Sequence, residues 1–147
     1  MLIRIGNKNY RKTVFIVVYR VEYKKKIYLI MKRKLHWRGY EFPKGGIEEG
    51  ESELDAVRRE VSEETGLKIK NIVNHNKKGK YDFVRELPDR KGVEGQAYSL
   101  YSVEVNDGDV IFDKHEHSGY QWLDYADALK ILSKPNQKEC LKLVEFS

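Results

Sequence analysis

Hydrophobic and polar positions divide the chain into short strand-like runs, one sharply patterned helix and two further helices near its end. Residues 13–19 are a β-branched and aromatic run, the pattern of a buried strand. A charged turn over 20–26 and a second apolar run over 27–32 make this a hairpin. The aromatic segment 37–42 leads into Pro43, Lys44, Gly45 and Gly46, a strong turn signal. From Ser52 the period becomes helical. Ser52 suits an N-cap, Asp55 completes a capping-box pattern, Leu54, Val57 and Val61 form the apolar stripe, and Gly66 supplies the stop. Strand-like runs recur at 68–73, 81–85, 97–105 and 119–123, with a polar loop over 86–95. Helices are expected over 125–132 and 136–146, split near Pro135. Strands outnumber helices, so the pattern predicts an α/β chain, a mixed sheet covered by helices. Its 147 residues suit one domain, 1–147.

Composition narrows the setting. With 40% hydrophobic and 35% charged residues and no apolar run of membrane-spanning length, no membrane partner is expected. The N-terminus has no apolar core followed by a small-residue cleavage site, and the single cysteine, Cys140, excludes an internal disulfide. A cytoplasmic setting follows as the expectation, with Cys140 read as a core residue. The net charge of +5 is uneven: residues 48–64 hold eight acids and two arginines, while the remainder is strongly basic. Such a balance suits a metal-bound, polyanionic substrate. Each lysine-rich run, 24–26, 32–34 and 77–80, reads singly as a solvated turn. Together they leave RNA binding open, whereas no DNA partner is expected. Nothing in the sequence sets the oligomeric state.

The acidic helix carries the candidate chemistry. Glu60 and Glu64 are one helical turn apart with Glu63 beside them, so three carboxylates can converge. Like charges at that spacing weaken a helix, and their simplest use is to bind a hard divalent cation through oxygen. Gly45, Glu51, Arg59, Glu60, Val61, Glu63, Glu64, Gly66 and Leu67 fit the pattern G-x5-E-x7-R-E-U-x-E-E-x-G-U, where U is aliphatic. This stretch, 45–67, resembles the signature box of the Nudix hydrolases at every specified position.

That resemblance implies the Nudix α/β/α sandwich and Mg²⁺-dependent hydrolysis within a nucleoside diphosphate linked to a group X, with Mn²⁺ an alternative metal. Glu60, Glu63 and Glu64 would supply carboxylates and Gly45 a backbone carbonyl. Either Glu60 or a glutamate outside the box would take the proton from the attacking water. Arg59 and Glu51 read as a bidentate pair that fixes the loop against the helix. Lys44 either reaches a phosphate or is a solvated turn lysine, while Glu48, Glu49 and Glu53 read as solvent-facing acids.

The flanks bear on X. Phe42-Pro43-Lys44-Gly45 is similar to the entry of diadenosine polyphosphate hydrolases and of RNA 5′-pyrophosphohydrolases. Residues 115–123, with Glu116, Tyr120, Trp122 and Leu123, are similar to the ending of diadenosine tetraphosphate hydrolases. The leading expectation is therefore a dinucleoside polyphosphate hydrolase, with RNA 5′-end pyrophosphohydrolysis as runner-up. A catalytically silent nucleotide-binding module is disfavoured because all four box glutamates are present. Glu116 is the expected further metal ligand or base. His115 and His117 lack a zinc-site spacing and read as surface or loop histidines. Tyr81, Phe83, Tyr98 and Tyr101 lie on strand-like runs, where each either packs in the core or stacks on a base. Gln96 stands where animal diadenosine enzymes carry a lysine.

Overall fold

A computed structural model describes all residues from 1 to 147. The elements in order are β1 (Leu2–Ile5), β2 (Lys8–Glu22), β3 (Lys25–Arg33), β4 (Gly39–Glu41), β5 (Lys44–Gly46), α1 (Glu53–Thr65), β6 (Ile69–Asp82), β7 (Gly95–Val105), β8 (His117–Leu123), α2 (Tyr125–Ile131) and α3 (Pro135–Glu145). All eight strands join one mixed sheet. β2 pairs in parallel with β7, and the other pairings are antiparallel.

The long strand β2 shows why helices cover both faces. Successive side chains point to opposite sides of a strand. Val14, Ile16 and Val18 pack with Ala56, Val57 and Val61 of α1. Phe15, Val17 and Tyr19 pack with Ala128 of α2 and with Cys140, Leu141 and Val144 of α3. Each fully buried aliphatic side chain contributes roughly 1.5–3 kcal/mol of transfer free energy, so two continuous cores hold the three layers together. The result is the expected α/β/α sandwich.

Several boundaries differ from the sequence pattern. Pro43 to Gly46 is not a free turn: Lys44–Gly46 pairs with Thr13, Val14 and Phe15 as β5. The run 68–73, from Ile69 on, and the first two residues of 81–85 belong to one strand, β6, whose register against β7 shifts between Asn74 and Lys78, while 83–85 lie outside it. The irregularity broke the period-two pattern there. β1 was not foreseen. Leu54 is 43% exposed, and Ala56 takes its expected place in the stripe. Pro135 opens α3 at its first turn, where its missing N–H leaves no helical bond unmade.

Candidate active site

Helix α1 presents its carboxylates at a fixed height because both ends are capped. The Ser52 hydroxyl accepts from the Asp55 N–H, and Gly66 closes the helix in the left-handed conformation at φ 68°. Glu53 does not face solvent as expected; it accepts from the Ser99 and Tyr101 hydroxyls and ties the helix start to β7. Glu60 and Glu64 fall on the buried side of α1, whereas Glu63 is exposed. The Arg59 guanidinium spans the cluster. It donates to Glu51 at 2.8 and 3.0 Å, to the Gly46 carbonyl at 2.8 Å and to Glu60 at 2.8 Å, with Glu63 at 3.5 Å. That fork holds Glu51 down to a pKa of about 2. Burial pushes Glu60 up to about 7, against the opposing pull of Arg59, and burial also raises Glu64. Gly45 lets β5 pass directly over Glu60: a Cβ there would fall 2.5 Å from Glu60 Cγ and nearer still to its carboxylate.

Glu116 meets this cluster from the turn immediately before β8. Ligand atoms of Glu64, Glu116 and His117 lie within 4.8 Å of one another, and Glu116 shares a small polar pocket with Gly45 and Glu60. His117 is not a surface or loop histidine; it is 1% exposed. Its Nε2 lies 2.8 Å from Glu41, and its Nδ1 lies 3.2 Å from Glu64 in an ion-pair contact. Burial alone would lower the His117 pKa, but the two carboxylates outweigh it and raise it to about 9. Glu41 is fully buried; burial would raise its pKa, but Lys44, His117 and Arg33 bring it to about 2. His115 is exposed and apart from this chain.

Cations line the same pocket. Arg11, Arg33, Lys44 and Arg90 surround Glu60 and Glu116, and burial lowers the pKa of Arg11 and Arg90. A larger cavity of about 460 Å³ adjoins, walled by Trp37, Tyr81, Phe83 and Leu87 and sharing Arg33, Lys44, Arg90 and Gln96 with the pocket. Lys44 is therefore not a solvated turn lysine. It donates to the Tyr81 hydroxyl at 3.2 Å, and that hydroxyl donates to Gln96 at 2.7 Å. Tyr98 and Tyr101 do not offer stacking faces. Tyr98 stacks on Phe15 with ring centroids 4.0 Å apart, and Tyr101 is buried among Val14, Val103 and Ala56 in the α1-side core.

The family model for the NUDIX domain matches residues 9–144. The chain belongs to the Nudix family. Among curated relatives, the RNA pyrophosphohydrolase of Ruthia magnifica subsp. Calyptogena magnifica is 31% identical over 153 aligned positions, covering 94% of this chain and 83% of the relative. The asymmetrical bis(5′-nucleosyl)-tetraphosphatase of Rattus norvegicus is 30% identical over 108 residues, covering 73% and 68%. The solved binary complex of a C. elegans Ap4A hydrolase shares the fold with a TM-score of 0.72 at 24% identity, covering 91% of this chain and 94% of that one.

The donors of this Nudix chain fit a hard divalent cation. Glu60, Glu64 and Glu116 offer oxygens beside the Gly45 carbonyl strand, and one Glu64 oxygen is buried with no hydrogen-bond partner. Sequence reasoning missed Arg11, Arg33, Arg90, Glu41 and the burial of His117. Arg33 sat unnoticed inside the lysine-rich run 32–34, yet it is 5% exposed and donates to Glu41 at 3.1 Å. The lone arginine between two lysines was the available signal, since Arg is the better partner for a buried carboxylate.

Proposed function

We propose that this chain is a metal-dependent Nudix hydrolase of 1–147 that cleaves a phosphoanhydride bond in the 5′-polyphosphate of a nucleotide, with the RNA 5′ end as its substrate. One observation carries the reading: four cationic side chains, Arg11, Arg33, Lys44 and Arg90, line the pocket that holds Glu60 and Glu116. Carboxylates alone would repel a polyphosphate, and cations alone would hold it without activating water. Mg²⁺ or Mn²⁺, held by Glu60, Glu63, Glu64, Glu116 and the Gly45 carbonyl, would supply Lewis-acid polarisation and a more acidic water. Arg33 and Lys44 neutralise charge on the phosphates, and Arg59 with Glu51 keeps the Glu60 carboxylate aimed. Glu116 or Glu60 takes the proton from the attacking water. Tyr81 and Phe83 border the adjoining cavity, which is large enough for a nucleobase and sugar.

RNA is favoured over other forms of X by the Ruthia magnifica relative, whose likeness spans 94% of this chain, and by the sequence pI near 9.1. A second reading, dinucleoside polyphosphate hydrolysis, is supported by residues 115–123 and by the rat relative. A parallel assay of triphosphorylated RNA and diadenosine tetraphosphate with Mg²⁺ separates them. Preferential conversion of the RNA to its monophosphorylated form is expected. Preferential release of ATP and AMP from the dinucleotide would select the second reading, and no turnover of either would refute both.

A further inference from the structure

We propose that His117 is a positioning residue for Glu64, held in place by Glu41, and not itself a metal ligand. The inference rests on the reading of Glu64 as a ligand and adds what aims it. Glu41, His117 and Glu64 are 0%, 1% and 3% exposed, and they form a continuous line from β4 through the start of β8 to α1. A carboxylate faces each imidazole nitrogen: Glu41 hydrogen-bonds Nε2 at 2.8 Å, and Glu64 Oε2 stands 3.2 Å from Nδ1 in an ion-pair contact. With Nε2 bonded to Glu41 and Nδ1 turned to the Glu64 carboxylate, the ring is placed to hold carboxylates and not a cation. Glu41 is itself anchored from two sides, by Arg33 at 3.1 Å and by Lys44 at 3.5 Å. Burial this complete, with Glu41 Oε1, Glu64 Oε2 and His117 Nδ1 lacking hydrogen-bond partners, makes the line sensitive to the loss of any member. The same Arg33 and Lys44 line the phosphate pocket, so the line runs from the proposed phosphate-binding cations to a proposed metal ligand.

Mn²⁺ binding to the whole protein, followed by electron paramagnetic resonance, tests this without turnover. His117→Ala is expected to weaken Mn²⁺ binding about 10–100-fold, the range for removing a group that orients a metal ligand. Glu41→Gln, which touches no metal in this account, should weaken it in the same direction. The double variant should be no weaker than the worse single one, since both act through one line. Electron spin-echo modulation of the wild-type Mn²⁺ complex should contain no histidine nitrogen coupling. Such a coupling, lost in His117→Ala, would make His117 a ligand and overturn the proposal. Mn²⁺ affinity within twofold of wild type in Glu41→Gln would overturn it too, and that variant decides the matter if His117→Ala does not fold. Glu64→Gln is the control: unchanged Mn²⁺ affinity there would sink the ligand reading itself, whereas a loss there with none in Glu41→Gln sinks only the positioning role.

Discussion

Gly45→Ala separates a site built on close approach from one built on charge alone. Gly45 has no positive φ, so alanine meets no backbone penalty, and any effect arises from its new methyl group. That carbon would sit 2.5 Å from Glu60 Cγ and closer to the carboxylate, whereas ordinary carbon–carbon contact is about 3.5 Å. Glu60 must therefore retreat by roughly 1 Å or more. It is 7% exposed and clasped by Arg59 at 2.8 Å, so the movement breaks a charge-assisted hydrogen bond. Overpacking costs about 1–3 kcal/mol, and a displacement of this size at a reacting centre can reduce turnover about 10²-fold. The expected outcome is a Tm lower by a few degrees, a kcat down about a hundredfold and a higher Mg²⁺ requirement, measured by thermal melting and by kinetics over a Mg²⁺ titration. Gly46→Ala is the matched control: its Cβ would fall 2.7 Å from the Arg11 guanidinium carbon and nearer still to one of its nitrogens, which should raise KM and leave the Mg²⁺ dependence intact. Wild-type kcat and Mg²⁺ dependence in Gly45→Ala would refute the assignment of Glu60 to the reacting centre.

Other outcomes follow from the same geometry. Glu60→Gln should lower kcat about a hundredfold or more, roughly 3 kcal/mol of transition-state stabilisation, while leaving Tm unchanged or higher because a buried like-charge contact is relieved. Near-native turnover would contradict this. Glu116→Ala should cut kcat with nucleotide binding retained in calorimetry, and parallel loss of binding would argue against a role at the metal or water. The Glu60 pKa near 7, above its ordinary 4.5, means the folded metal-free protein keeps a proton that the unfolded chain has released. Stability from this group is thus full below about pH 4.5 and declines as pH rises towards 7, by up to about 3 kcal/mol. A metal that accepts the ionised carboxylate offsets that loss, so Mn²⁺ should raise Tm more at pH 7.5 than at pH 5.5. Equal shifts at the two pH values would show that the burden lies elsewhere.

Local pattern carried the features of this chain that are themselves local. Helix α1 was legible because Ser52, Val57, Val61 and Gly66 each report on neighbours within a turn or two. The runs at 13–19 and 27–32 were legible because strands buried on both faces need continuous apolar sequence. What stayed hidden depends on distant pairing. His117 reads as one member of a polar HEHS run, and only Glu41, 76 residues earlier, and Glu64 across the sheet explain its burial. Arg11 and Arg90 likewise become pocket residues only when β2 and the 86–95 loop come together beside Glu60 and Glu116. Tyr98 and Tyr101 carried strand propensity without a side: Tyr98 packs towards α3 and Tyr101 towards α1, and neither faces the cavity. The Lys44–Gly46 strand escaped notice because its pairing with β2, not its own residues, makes it a strand.

The proposed catalysis requires a divalent cation seated between helix α1, the Gly45 strand and the turn before β8. Anomalous diffraction from crystals soaked in Mn²⁺ tests this most directly. A peak is expected within ligand distance of Glu60 and Glu64, with Glu116 and the Gly45 carbonyl beside it, and none at His115. An empty cluster with a peak at the histidines, or a peak remote from Glu60 and Glu64, would contradict it.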